Sequence, residues 1–408
     1  MGARGDTPGN EFDPLAEAVR ADPHSMYRQL RSSCPVAHTE AFGGFWTATR
    51  RSDIERITTD PATFSSRYGI IVPRNRASGR RPPLHFDPPE HALFRAAINP
   101  AFRKDRLARL ELIIRDRAGE LARQACAANE FDGFGDIASP LAATTVGHLL
   151  NLPAHLLRPM TDHAARFEWA QFHFDLDAVE AENLILYDLS RRFVAERRTN
   201  QLDPDEDLVS GLLAVDPERL AFLAEPGEPF DESAVDEIVA GSVRQIIVAG
   251  HGAPALVLAS AIGHLADDAQ LQSELRARPE LLADATEELL RLHTPNQGFA
   301  RTVVEPVELG GRRLPAGAMV AIPYTSANRD EAVFHRPDEL VLGRSTRHLA
   351  FGFGVHICPG AHIGRVQTRV ALEALLGATS AIERRGPSEY APFPVHGPIT
   401  LPLRVVAA

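Results

Sequence analysis

Near the C-terminal end of this chain, Phe351-Gly352-Phe353-Gly354-Val355-His356-Ile357-Cys358-Pro359-Gly360-Ala361 surrounds one of only three cysteines with glycine. Glycines at 352, 354 and 360 let backbone amides approach a sulfur, and the amphipathic run that follows puts Cys358 at a helix N-terminus. Both effects are expected to favour thiolate over thiol. A soft thiolate on an open-sided metal suits haem iron, where it pushes electron density toward O–O cleavage. A structural cysteine in a glycine-rich turn accounts neither for His356 nor for the glycine spacing.

The pattern Phe-x-x-Gly-x-His-x-Cys-x-Gly, from Phe351 to Gly360, resembles the haem-binding loop of the cytochrome P-450 family of haem-thiolate monooxygenases. Further marks of that family occur in the expected order from about residue 40 to the C-terminus. The resemblance implies haem b, with Cys358 as the iron ligand and Gly360 beside it. It also implies a single domain over 14–408, mainly α with a minor β region, with haem between the distal I helix and the proximal Cys loop and L helix.

A haem carries two propionates that need cations. His91 and Arg95, at i and i+4 in Pro88-Pro89-Glu90-His91-Ala92-Leu93-Phe94-Arg95, share a helical face and match the family's propionate pair. By the same matching, Arg301 and His356 approach the propionates from the other side. Glu288 and Arg291 resemble the family's Glu-x-x-Arg motif, which braces the haem-loop region together with a third arginine. Here Glu339 stands where that arginine is common, leaving Arg344 or His335 as substitutes.

The segment 233–265 is apolar almost all round its middle, as a helix through the centre of a domain is. Within it, Ala249-Gly250-His251-Gly252-Ala253-Pro254 falls where the family has Ala-Gly-x-acid-Thr, whose acid and hydroxyl relay protons to the oxygen site. Gly252 replaces the acid and Ala253 the alcohol, while Pro254 removes one helical N–H and is expected to kink the helix. Either ordered water, or the substrate's own N–H or O–H, or another residue such as His251 then supplies the relay. Gln245, Ala249 and Ala253 share one face, which is expected to see the substrate. Asn296 and Gln297 add amides to that pocket. Ile71, Val72 and Phe393 are expected as its apolar walls, with further aromatic side chains from Phe167, Trp169, Phe172 and Phe174.

Around these residues the chain reads as mainly helical. Segments 105–127, 183–198, 267–276, 280–292 and 361–376 carry apolar residues at three- and four-residue spacing. Gly43 to Thr49 reads as a turn and strand, and Val303 to Leu314 and Pro398 to Val406 as small hairpins. Residues 1–13 read as a mobile arm. A net charge of −11 with both signs interspersed disfavours nucleic-acid binding. No signal-peptide core and no uninterrupted apolar run of membrane length is evident, and three scattered cysteines do not make a disulfide framework. The expected location is cytoplasmic.

No flavin or nicotinamide fingerprint follows a strand, so electrons come from outside. The resemblance implies a ferredoxin and ferredoxin reductase, with Arg103, Lys104, Arg106, Arg365 and Arg369 as the docking patch. The resulting expectation is a haem-thiolate oxygenase using O2 and two electrons on a natural-product-like small molecule. Oxidative C–C or C–N coupling of an aromatic cyclic dipeptide is a narrower reading of it. A hydrogen-peroxide-driven peroxygenase and a non-enzymatic haem ligand-binding module are the alternatives.

Overall fold

A computed structural model describes residues 11–74, 80–223 and 232–407. The expected mobile arm therefore lies outside the described residues up to residue 10. Beyond that point the chain is docked: Glu11 donates its N–H to His38 O at 2.9 Å, and Phe12 is buried edge-on against Phe45. Helices make up 57% of the structure and strands 12%, the mainly helical fold that the loop's resemblance implies.

Two compact units emerge, each assembled from three stretches of chain. The smaller takes residues up to 75, 291–357 and 390–396. Its five-stranded sheet orders Val36–Thr39, Phe45–Ala48, Met319–Ala321, Ala300–Val303 and Phe64–Ser65. Val36, Trp46, Val303, Val320 and Ile322 alternate into a core shared with Ile54 and Ile57 of the helix Arg51–Thr59. The expected hairpin is Val307–Leu309 paired with Arg312–Leu314. Its turn, Gly310-Gly311, has φ of +54° and +76°, the left-handed geometry such two-residue turns demand.

The larger unit, 76–290, 358–389 and 397–408, is a helical assembly. Lys104–Ala128 buries Leu107, Leu110, Ile114, Ala118 and Leu121 at three- and four-residue steps. That face packs on Ala361–Ala378, which turns Ile363, Val366, Val370 and Leu375 inward. The Arg369–Glu111 pair at 2.9 Å and the Arg115–Glu373 pair at 3.0 Å tie these two helices together at the surface. Such exposed pairs contribute under about 1 kcal/mol each, so apolar burial holds the packing.

Two expectations are corrected here. The helix read from residue 183 begins at Leu176, because Asp175 caps it by accepting from Ala178 N–H at 3.0 Å. Pro398 to Val406 is no hairpin. Leu401 N–H donates to Asp132 Oδ1 and its carbonyl accepts from Gly133 N–H, which sends Pro402–Ala407 into a separate sheet. There it pairs antiparallel with Glu130–Asp132 and Thr379–Arg384.

The central apolar segment forms two helices, Glu232–Ala249 and Gly252–Asp267. The interruption lies at Gly250-His251, four residues before Pro254, where the proline ring collides with the helical path of the carbonyl of residue i−4. By length and composition alone Ser233–Asp267 could cross a membrane, but it is mostly buried inside the protein, as a core helix pair is.

Three histidines make the fold acid-sensitive. Burial, reinforced by Arg81 and Arg244, pushes His85 down to about 3. Burial likewise lowers His396 to about 4, and His24 well below its ordinary value. Each is neutral when folded, whereas the unfolded chain takes up a proton below 6.5. Stability is therefore present above that pH and lost as pH falls toward the folded values, at roughly 1 kcal/mol per pH unit per histidine. Calorimetry between about pH 7 and 4 should show Tm falling by several degrees; a flat profile would contradict this burial.

Candidate active site

In the larger unit, Cys358 sits two residues ahead of the N-cap of the helix Ala361–Ala378. Its side chain is open on one side. A Cβ at Gly360 would stand 3.8 Å from the sulfur, an ordinary contact distance, so this glycine lies directly beside the thiol. Burial pushes the thiol pKa up, against the Gly360 N–H and the charges of Arg95 and Arg365, which pull it down. The Gly360 amide and the two guanidiniums are the groups that favour thiolate, and burial is what opposes them.

Arg95 lies on the helix Glu90–Ile98 with His91, close enough for its charge to be felt at Cys358. His91 is buried and Arg95 half-buried. The predicted i,i+4 pair and the cysteine therefore converge within one unit.

The smaller unit carries the other predicted haem residues. His356 ends the short turn Gly354–His356, and its Nε2 lies 3.0 Å from Ser66 Oγ. Only glycine fits at 354: φ is +71°, and a Cβ would stand 2.1 Å from Thr58 O. Arg301 is buried in the strand Ala300–Val303 and donates to Ala300 O at 2.8 Å.

Arg291 works as a clamp. Its Nη1 donates to the carbonyls of Asn328 at 2.9 Å and Pro337 at 2.6 Å, and its Nη2 to that of Glu339 at 2.8 Å. Arg344 holds the neighbouring carbonyls of His335 and Arg336. Both guanidiniums flank the ring of Phe334, at 5.1 and 5.7 Å. Arg344, rather than the exposed His335, therefore shares this loop with Arg291. Glu288 is buried one turn earlier on the helix Leu282–Leu292.

On the broken central helix, Ala249 is exposed and Gln245 and Ala253 are partly open, while Arg244, Ile247, His251 and Gly252 are buried. The predicted face is thus the open one. Gly250 packs against the helix Ser139–Leu149, where a Cβ would stand 2.6 Å from Val146. His251 faces away from the open strip. Its Nδ1 is 2.8 Å from Glu168 Oε2 and its Nε2 is 3.0 Å from Ser139 Oγ.

Several expected pocket residues are structural. Gln297 accepts from Tyr27 Oη at 3.1 Å and donates to Val395 O at 2.8 Å, so its amide is consumed internally. Phe393 stacks on Phe45 and belongs, with Val72, to the core of the smaller unit. Aromatic and β-branched residues there met the needs of sheet packing rather than of a ligand. Asn296 and Ile71 stay partly open, each in an isolated antiparallel bridge, with Val395 and Phe299. Phe167 lies under Arg244 at 4.4 Å, and Trp169 and Phe174 point to solvent. Glu168, Ser139 and the buried Arg81 and Arg244 escaped the sequence reading. The available signal was Glu168 itself, an acid on the apolar stripe of Ala154–Phe172, four residues after buried Ala164.

The donor set fits a haem. Among the described residues no group of three His, Cys, Asp or Glu side chains could hold a metal ion. Iron in a macrocycle needs only one protein ligand, because the ring supplies four. A cysteine presented from a loop with positive φ at Gly352 and Gly354, facing the charges of Arg95 and Arg365, suits a haem-thiolate ligand.

Comparison with known proteins agrees. The family model described as Cytochrome P450 matches residues 185–380. The chain is 31% identical over 397 residues to Cyclomarin C epoxidase CymV of Salinispora arenicola, covering 93% of this chain and 94% of that protein. It is 30% identical over 403 residues to Cytochrome P450 109 of Bacillus spizizenii, covering 96% and 93%. Among solved structures, cytochrome P450 CYP109Q5 from Chondromyces apiculatus matches with a TM-score of 0.82 at 27% identity, covering 97% and 98%. The chain belongs to the cytochrome P450 family. It is an oxidoreductase of the monooxygenase type, with haem b as its cofactor.

Proposed function

We propose that this enzyme oxidises a natural-product-like small molecule bearing aromatic and amide groups, using dioxygen and two electrons from a ferredoxin and ferredoxin reductase. Monooxygenation balances as RH + O2 + 2 e⁻ + 2 H⁺ giving ROH + H2O. The observation that carries the substrate half is the open strip of Gln245, Ala249 and Ala253 beside the buried Arg244, Ile247, His251 and Gly252. An amide beside two methyl-sized positions accepts a bulky ligand with a polar group to pair. The relative named for epoxidising cyclomarin C supports a natural product.

In this reading Cys358 holds the haem, which supplies dioxygen activation, and His91, Arg95, Arg301 and His356 hold its propionates. Gln245 and Asn296 orient the substrate, and Ile71 packs on it. The docking patch for the electron donor is smaller than expected. Arg103 pairs with Asp205 and Glu206, Arg365 with Glu287 and Arg369 with Glu111, while Arg106 is buried. Interspersed surface charge and the enclosure of the apolar helix pair support a cytoplasmic protein.

Gly252 and Ala253, lacking the acid and the alcohol, favour one narrower reading: coupling of an aromatic cyclic dipeptide. It balances as R–H + R′–H + O2 + 2 e⁻ + 2 H⁺ giving R–R′ + 2 H2O. Titration of the haem-loaded enzyme with aromatic cyclic dipeptides and polyketide-like compounds, followed in the Soret band and then by turnover with ferredoxin, separates the readings. Oxygenated product supports the main one and carbon–carbon or carbon–nitrogen dimers the narrower one. Product from hydrogen peroxide alone at a comparable rate would replace both with a peroxygenase.

A further inference from the structure

The side chain missing from Gly252 has a spatial substitute. A Cβ built on Gly252 would meet Glu168 Oε1 at 2.5 Å and its carboxyl carbon at 2.6 Å. The carboxylate of the helix Ala154–Phe172 therefore occupies the place an acidic side chain at 252 would start from. A side chain at 252 would push the Glu168 carboxylate from this position and off its contact with His251.

Three further observations show a connected path. Glu168 is only 5% exposed, and its Oε1 has no hydrogen-bond partner. Its other oxygen, Oε2, is 2.8 Å from His251 Nδ1, and His251 is 2% exposed. On the far side, His251 Nε2 is 3.0 Å from Ser139 Oγ, at a partly exposed position. A hydrogen-bonded chain thus runs from solvent through Ser139 and His251 to a buried carboxylate at the break in the central helix. Burial alone would strip His251 of its charge, but Glu168's charge and hydrogen bond, with Ser139, raise its pKa instead. Arg244, stacked on Phe167, is a nearby cation that feels the charge of Glu168.

We propose that Glu168, fed by His251 and Ser139, is the proton-delivering carboxylate of this enzyme, replacing the acid that Gly252 lacks. The inference rests on the monooxygenase reading above and deepens it. A proton enters His251 at Nε2 from the Ser139 hydroxyl, which solvent replenishes. It leaves from Nδ1 to Glu168 Oε2, and the carboxylic acid so formed rotates its O–H toward the helix break, reverting to carboxylate as it releases the proton. Two such deliveries match the two electrons that reduce dioxygen. The path requires no side chain at 252 or 253.

Two measurements on the haem-loaded protein test it. The first uses dioxygen itself as probe: with ferredoxin, reductase and NADPH but no organic substrate, O2 + 2 e⁻ + 2 H⁺ gives hydrogen peroxide. Glu168→Gln is expected to lower that rate tenfold or more, because general acid–base groups contribute at least that much. Glu168→Asp should fall between the two. The second is thermal unfolding: Gly252→Ala should lower Tm, and adding Glu168→Ala should restore most of the loss. Peroxide formation by Glu168→Gln within twofold of wild type, or a Gly252→Ala protein as stable as wild type, would overturn the proposal. Loss of the red-shifted carbon-monoxide band from the wild-type protein would instead sink the haem-thiolate reading, so the two failures are distinguishable.

Discussion

Haem-loaded protein carrying Cys358→Ala is expected to lose the red-shifted carbon-monoxide band and all measurable turnover, while the haem-free chain folds as before. Removing residues that merely orient a metal ligand already costs ten- to a hundredfold in affinity or activity. Cys358 is the proposed ligand itself, so its loss is expected to cost more than that. Burial raises its thiol pKa despite Gly360, Arg95 and Arg365, so the free sulfur contributes little charge-based stability for the substitution to remove. Circular dichroism and haem titration of the variant check both halves. Retention of the band would mean that another side chain ligates the iron.

Arg291→Met should be the most damaging substitution outside the haem loop. It removes three donors at once and strands the carbonyls of Asn328, Pro337 and Glu339. Breaking a buried charged network of this kind costs roughly 3–5 kcal/mol. Lysine cannot reproduce the grip, because a single ammonium cannot span carbonyls fanned about a planar guanidinium. Arg291→Lys is therefore expected to recover less than half of the loss. Thermal unfolding and the rate of haem release measure the effect; a Tm within about a degree of wild type would exclude the clamp.

How far the chain could be read in advance depended on the kind of constraint. Glycines 352 and 354 were legible because a positive φ, and at 354 a close approach to Thr58 O, favour one residue type, and such a spacing survives in sequence. The helices Lys104–Ala128 and Ala361–Ala378 were legible through their apolar period. The helix start at Leu176 was missed because its cap, Asp175, lies outside the periodic pattern. Gln297 and Phe393 were misassigned since an amide or an aromatic ring has the same letter whether it meets a ligand or Tyr27 and Phe45. Glu168 was invisible for a different reason. Its partner Gly252 is 84 positions away and carries no side chain, so nothing at either site announces the other.

The ring of Phe334 is approached by three guanidiniums, from Arg51 at 5.6 Å as well as from Arg291 and Arg344. Arg291 and Arg344 then grip main-chain oxygens, joining cations to neutral dipoles and a π-face. Dissolved electrolyte weakens attraction between opposite exposed charges within about 10 Å of ionic atmosphere. The bonds from the buried Arg291 guanidinium to peptide oxygens lie inside the protein, away from that atmosphere. High ionic strength therefore loosens the outer Arg369–Glu111 and Arg115–Glu373 stitches more than the Arg291 grip on the segment before the haem loop.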